Sequence, residues 1–180
     1  MNPKYDKRWK KGEDALLVRP NVLCVLDGVG GCIRRLIDVG IMTKEFISHV
    51  AAQVDANGGV SDEVDLAGIL DVANSSTIAK GSTTATVAQL TQDFKIKTCN
   101  LGDSGYLILR PADPTIEKVF RSTSQQHYFN CPYQTGNHSI KPPSAQGFST
   151  SHDIQLNDII ILGTDGLWDN VFDDDIMSLV

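Results

Sequence analysis

Two apolar runs, each stopped by an Asp-Gly pair, constrain this chain more than any other feature. Val22-Leu23-Cys24-Val25-Leu26 runs into Asp27-Gly28, with Gly30 and Gly31 just beyond. Ile159-Ile160-Ile161-Leu162 follows Asp158 and closes in Gly163-Thr164-Asp165-Gly166. A short apolar run bounded by turn residues predicts a buried strand, and Cys24 counts as a small hydrophobe. A carboxylate at the mouth of such a strand costs free energy unless a cation or donors neutralise it. Glycines let backbone groups come close to a ligand. One Asp-Gly is most often a plain turn; two of them after matched strands predict a hard-cation or phosphate site. The two strands are expected to pair in one sheet and present both acids at one edge, where they repel unless a divalent cation lies between them.

At 180 residues the chain is expected to form a single domain, 1–180, with a real core. A net charge of −6 argues against a general nucleic-acid surface. Some of that charge lies in Asp173, Asp174 and Asp175, which read as solvated acids at a helix start. The four cysteines show no CxxC spacing and have no histidines at zinc-finger distance. Cys24 and Cys99 are expected to be core thiols of a reducing compartment, which points to an intracellular protein, cytoplasmic or organellar (mitochondrial). No apolar run reaches the length of a membrane span, and the basic start MNPKYDKRWKKGED lacks the apolar core of a secretory signal.

In chain order, Glu13-Asp14 leads a short strand from Ala15. Pro20-Asn21 then turns it into the strand ending at Asp27, a hairpin that carries both acids back beside Asp27. Helical spacing follows from Ile33 to Val54, through Leu36, Ile37, Ile41, Phe46, Ile47 and Val50. Gly40 is expected to break or bend that helix and Thr43 to cap it. Ser61-Asp62-Glu63 opens a second helix, with Val64, Ile69, Leu70, Val72 and Ala73 as core positions. GSTTATVAQL (Gly81 to Leu90), then Phe94 to Leu101, Tyr106 to Arg110 and Ile116 to Arg121 read as an antiparallel meander. Ser122 to Asp153 has no sustained period and reads as a long functional or mobile loop. Strand signal resumes at Ile154-Gln155-Leu156, and a last helix follows Asp165. The class is α+β, helices packed on antiparallel sheet.

The ordered motifs ED, VLDGVGG, GSTTATVAQL, NLGDSGYLILR and DIIILGTDGLWDN resemble the metal-dependent type 2C protein serine/threonine phosphatases. The resemblance covers Gly12 to Asn170. It is nearest the branch of the T-cell-activation protein phosphatase, in which DGVGG and a segment like Gln125 to Asn130, QQHYFN, also occur. It implies a β-sandwich of two antiparallel sheets flanked by helices, with two Mg²⁺ or Mn²⁺ ions at one end. By that match, Glu13, Asp27 and the carbonyl of Gly28 hold one ion; Asp27 and Asp165 hold the other, with Asp27 bridging. Asp14 orients metal-bound water, and Asp103 and Asp169 contribute to a weaker third ion. The implied reaction is hydrolysis of phosphoserine and phosphothreonine in proteins, by a water bridging the two ions. Hard oxygen ligands suit such cations. The implied partners are phosphoprotein substrates, and the protein is expected to be a monomer.

Three departures from the family pattern stand out. Val29 occupies the position where many relatives carry a histidine that protonates the leaving group; the substitutes are His127 or a metal-bound water, although for His127 packing within its loop is the simpler role. Trp9 stands where relatives often have an arginine for phosphate, leaving Arg8, or Arg34 and Arg35 beyond the glycines. The family domain also continues past Val180 with further strands and one more ligand Asp, so the chain is expected to be C-terminally truncated. The first and last departures, Val29 and the missing C-terminal acid, motivate an alternative, a catalytically silent phosphatase-like domain that binds partners through Ser122 to Asp153. A serine protease is rejected for Gly102-Asp103-Ser104-Gly105, because the meander explains that turn. A dinucleotide loop is rejected because the G-x-G-x-x-G spacing fails.

Overall fold

The computed structural model describes residues 12–29, 37–57, 64–137 and 139–180. Four layers stack in the order helices, sheet, sheet, helices. The first sheet has the order β1-β2-β4-β5-β11, made of β1 Ala15–Val18, β2 Val22–Leu26, β4 Ala85–Leu90, β5 Lys95–Leu101 and β11 Phe148–Asp153. The second has the order β12-β6-β7, from β6 Gly105–Ala112, β7 Thr115–Arg121 and β12 Ile159–Gly163. Two small ladders complete it: β3 Ser82–Thr83 with β10 Thr135–Gly136, and β8 Gln126–Tyr128 with β9 Cys131–Pro132. Every pairing is antiparallel. The expected α+β sandwich is thus the observed one.

Side-chain alternation along each strand builds the layers. On β4, Ala85 and Val87 face helices α1 Val39–Ala56 and α2 Leu66–Ser76, where they join Phe46, Val50, Ile69 and Leu70. Ala88 faces the other way and meets Tyr106, Ile108, Ile160 and Leu162 between the sheets. On the far side, Leu107, Leu109, Ile159 and Ile161 pack under α3 Asp165–Trp168 and α4 Asp173–Leu179, through Leu167, Trp168 and Ile176. Arg110 ties β6 to the start of β12 with a forked pair to Asp158, at 2.8 and 2.7 Å, which holds the Asp158 carboxyl below the usual range.

Several sequence expectations change. The strands ending at Asp27 and Asp165 do not pair in one sheet; β2 lies in the first sheet and β12 in the second. Gly40 does not break α1 and Thr43 does not cap it. The cap is Asp38, whose carboxylate accepts from Gly40 N at 3.1 Å, and Thr43 is buried inside the helix. Ile41 and Val72 are exposed rather than core. Asp65, not the 61–63 segment, caps α2; residues 61–63 lie outside the described residues, as do Ile33 and Leu36. The expected loop from Ser122 to Asp153 contains β8, β9, β10 and the edge strand β11, which pairs with β5 from Phe148↔Asn100 to Asp153↔Lys95. An edge strand with one neighbour needs no apolar outer face, so the polar FSTSHD hid its period. Ile154 to Leu156 is the loop that follows it. Asp173 opens α4 as expected, but it also pairs with Lys118 at 3.1 Å. Among the described residues, no helix is long and apolar enough to cross a membrane.

The layer between the sheets holds one polar knot. The buried Tyr106 hydroxyl accepts from Thr98 at 3.1 Å and meets Thr150 Oγ1 at 2.7 Å and His152 Nε2 at 2.8 Å. Burial lowers the His152 pKa, favouring its neutral ring. Removing the hydroxyl takes one partner from each of Thr98, Thr150 and His152, which keep the Thr98–Thr150 contact at 2.7 Å and the Thr150–His152 contact at 3.0 Å. Tyr106→Phe is expected to cost about 1 kcal/mol, read as a lower urea midpoint with an unchanged slope.

Candidate active site

Strand register alone gathers the acids. In the first sheet Ala15 faces Leu26, so Asp14 and Asp27 extend the same hairpin end. In the second, Gly163 faces Gly105, so Asp165 and Asp103 leave the ladder at its matching end. The turn from β5 to β6, Gly102 to Ser104, passes from one sheet to the other at this rim. Asp169 caps the C-terminal end of α3, its N–H bonding Asp165 O at 2.8 Å.

Asp27 is the centre of the group. Its carboxyl hydrogen-bonds Asp165 and Asp14 and is pushed up to about 9, by burial first, then by Asp165 and Asp14. Asp103 is raised as well, chiefly by burial, with Asp165 and Asp169 adding repulsion. A Cβ on Gly28 would lie 2.7 Å from Glu13 O and 2.8 Å from Val39 Cγ1, so only glycine fits where these segments touch. Glu13 O in turn accepts from the buried Thr43 hydroxyl at 2.8 Å.

The backbone of Asp27 is clamped by residues that sequence reasoning passed over as ordinary strand. Its carbonyl accepts from Thr83 Oγ1 and from Thr84 N, both at 2.9 Å. Val29 N donates to Ser82 O at 2.9 Å. The Thr84 hydroxyl then meets Ser104 Oγ at 2.6 Å in a buried pair, beside Asp103. The alternating small hydroxyls of GSTTA were the only sequence signal for this clamp.

The structure therefore brings together Asp14, Asp27 and Asp165, sets Asp103 and Asp169 within electrostatic reach of Asp165, and packs Glu13 against Gly28. Arg34 and Arg35, the phosphate candidates, lie outside the described residues, as does Arg8. His127 stacks on Tyr133 with ring centroids 4.2 Å apart, a packing role within its hairpin. Among the described residues, no three acidic, His or Cys side chains are grouped as a ready-made metal site; Asp27 meets its two neighbours pairwise. The donor chemistry nonetheless fits a hard divalent cation: every group offered is oxygen, and the half-buried acid repels its partners until positive charge joins them.

Probable protein phosphatase 2C 26 of Arabidopsis thaliana is 34% identical over 183 residues, covering 99% of this chain and 58% of that protein. The Homo sapiens protein phosphatase PTC7 homolog is 36% identical over 184 residues, covering 90% of this chain and 57% of that protein. The chain belongs to the type 2C protein phosphatase family. It spans a little over half the length of these two relatives. No protein-family model matches it. The X-ray structure of the photosystem II phosphatase PBCP superposes on this family member with a TM-score of 0.88 at 27% identity, over 99% of this chain and 69% of that one. The catalytic domain of serine threonine protein phosphatase PstP, solved in complex with two manganese ions, gives a TM-score of 0.66 at 19% identity, over 94% and 77% of the two chains. At that identity the likeness shows the shared fold.

The raised Asp27 pKa sets a sign for stability. Folding lifts it from 3.8 to about 9, so the folded state holds the extra proton between those values. That contribution is whole below the unfolded value and is lost as pH rises through the folded one. In chelator-treated protein, Tm is expected to fall from about pH 5 to about pH 9, and Mn²⁺ is expected to restore it at the alkaline end. Asp27→Asn is expected to flatten this dependence; a parent profile already flat over that range would contradict it.

Proposed function

We propose that this family member hydrolyses phosphoserine and phosphothreonine in proteins, using two divalent cations, Mg²⁺ or Mn²⁺, with a weaker third. The observation that carries this reading is the contact of the Asp27 carboxyl with Asp165 and with Asp14 at one sandwich rim. A rim of carboxylates by itself repels a phosphate dianion, so phosphate chemistry here requires divalent charge among the acids. Glu13, Asp27 and the Gly28 carbonyl are the donors for one ion, Asp27 and Asp165 for the second, and Asp103 and Asp169 for the third. Such cations, when bound, offset phosphoryl charge and make water acidic enough to attack at neutral pH.

The chain's own residues have separate tasks. Asp27 is the donor common to the first two ions, and its clamp on Thr83 and Thr84 keeps it from recoiling from its neighbours. Asp14, exposed at the rim, is placed to accept a proton from water oriented toward phosphorus. A metal-activated water requires no nucleophilic side chain. The silent-domain alternative draws no support from the relatives described above, which are named as phosphatases.

Phosphate release from a phosphothreonine peptide is expected with added Mn²⁺ and is expected to stop with chelator. Asp27→Asn should lower the rate by about a hundredfold or more, while unfolding shows the fold intact. Release untouched by that substitution would refute this assignment.

A further inference from the structure

The hairpin of β8 and β9 stands against the acid rim and does something the acids do not explain. Its root is fixed. Buried Gln125 accepts from Gly102 N at 2.9 Å and donates through its amide to Gln146 O at 2.9 Å. Its own N–H bonds Gly102 O at 2.9 Å. Gln126 Nε2 reaches Asp103 Oδ2 at 3.4 Å, and the His127–Tyr133 stack stiffens the stem. The turn closes through Asn130 in the left-handed region, φ 58°. This rigid arm holds its two largest apolar side chains outward, with Tyr128 72% and Phe129 94% exposed. From Ser122 to Gly136 the sequence has no Asp, Glu, Lys or Arg, although the floor beside it is strongly acidic.

Exposed aromatics on a stiff support are a costly way to end a hairpin unless something covers them, because burial returns the hydration free energy and little entropy is lost. Their attachment to the Asp103 turn decides what the cover is. A polypeptide whose phosphate enters the acid rim comes beside this arm, because Gln126 ties the arm to Asp103. An uncharged arm neither attracts nor repels the charges around a phosphorylation site, so it reads side-chain size instead. A lipid surface would favour a basic patch, and this segment has none. We propose that the Tyr128–Phe129 tip docks the substrate polypeptide beside its phosphorylated residue and selects sequences with a large apolar side chain near phosphoserine or phosphothreonine. This rests on the phosphatase reading above and names the substrates that the same site prefers.

The test compares the parent protein with Tyr128→Ala/Phe129→Ala in Mn²⁺. The substrates are p-nitrophenyl phosphate, a phosphothreonine peptide flanked by leucines, and the same peptide flanked by glycines. Anisotropy of fluorescein-labelled peptides is read alongside. The expected result is a KM for the leucine peptide raised about tenfold, with its kcat, the glycine peptide and p-nitrophenyl phosphate unaffected. Tyr128→Phe/Phe129→Tyr is expected to keep the parent preference. Equal losses on all three substrates, or no change on the leucine peptide, would overturn the proposal. So would a dimer in light scattering that the alanine pair dissolves while peptide kinetics stay the same. If no substrate is hydrolysed, the phosphatase reading fails, and the anisotropy decides the docking surface separately: weaker leucine-peptide binding in the alanine pair supports it, and equal binding overturns it.

Discussion

Like charges forced together by strand register are the constraint on which this molecule depends. Antiparallel pairing leaves no freedom over which residues face each other once the ladder is set. Ala15 opposite Leu26 puts Asp14 beside Asp27, and Gly163 opposite Gly105 puts Asp165 beside Asp103. The two sheets then face one another through Tyr106, Ile108, Ile160 and Leu162, and their acidic ends meet. Apolar burial elsewhere supplies the free energy that holds these carboxylates together against their repulsion. The Asp27 pKa is raised by its burial first, and then by its contact with Asp165 and Asp14.

A rim under such stress needs a stiff frame, and the frame is built from small residues. Thr83 and Thr84 hold the carbonyl of Asp27, Thr84 holds Ser104, and Gly28 lets Glu13 close in without a clash. Gly102 is the point where several of these supports cross. Its φ is +98°, and a Cβ there would lie 2.5 Å from Tyr133 O and 2.6 Å from the Thr84 methyl. The same residue anchors Gln125 at the root of the aromatic hairpin. The acid rim and the arm beside it thus share one rigid turn.

Much of the fold was legible because its strands are buried on two sides or alternate cleanly. The β1–β2, β4–β5 and β6–β7 hairpins followed from apolar period and turn residues, but the expected continuous meander breaks between β5 and β6, which join different sheets; the first hairpin alone predicted that Asp14 would lie beside Asp27. What misled was local chemistry without a local consequence. Thr43 looked like a cap, but its hydroxyl spans thirty positions to Glu13 O, and the nearer Asp38 took the helix start. The polar β11 gave no period because an edge strand is not required to have one. Cys24 and Cys99 were read correctly as core thiols; burial, then the neighbouring Cys99, pushes Cys24 up to about 12.

The amino-acid order by itself determined which residues are the candidates for chemistry: acids placed directly after apolar runs, in a motif series that resembles one phosphatase family. It determined this because a carboxylate at a strand end is a local, costly feature that shows in the order of residues. Only the tertiary structure decided that β2 and β12 belong to opposing sheets, that Asp27 touches Asp165, and that Gln126 fastens an aromatic hairpin to Asp103. Those contacts join residues 23 to 138 positions apart, and no periodicity in a one-dimensional chain encodes which of two sheets a strand joins. That choice belongs to packing, which weighs all the apolar faces at once.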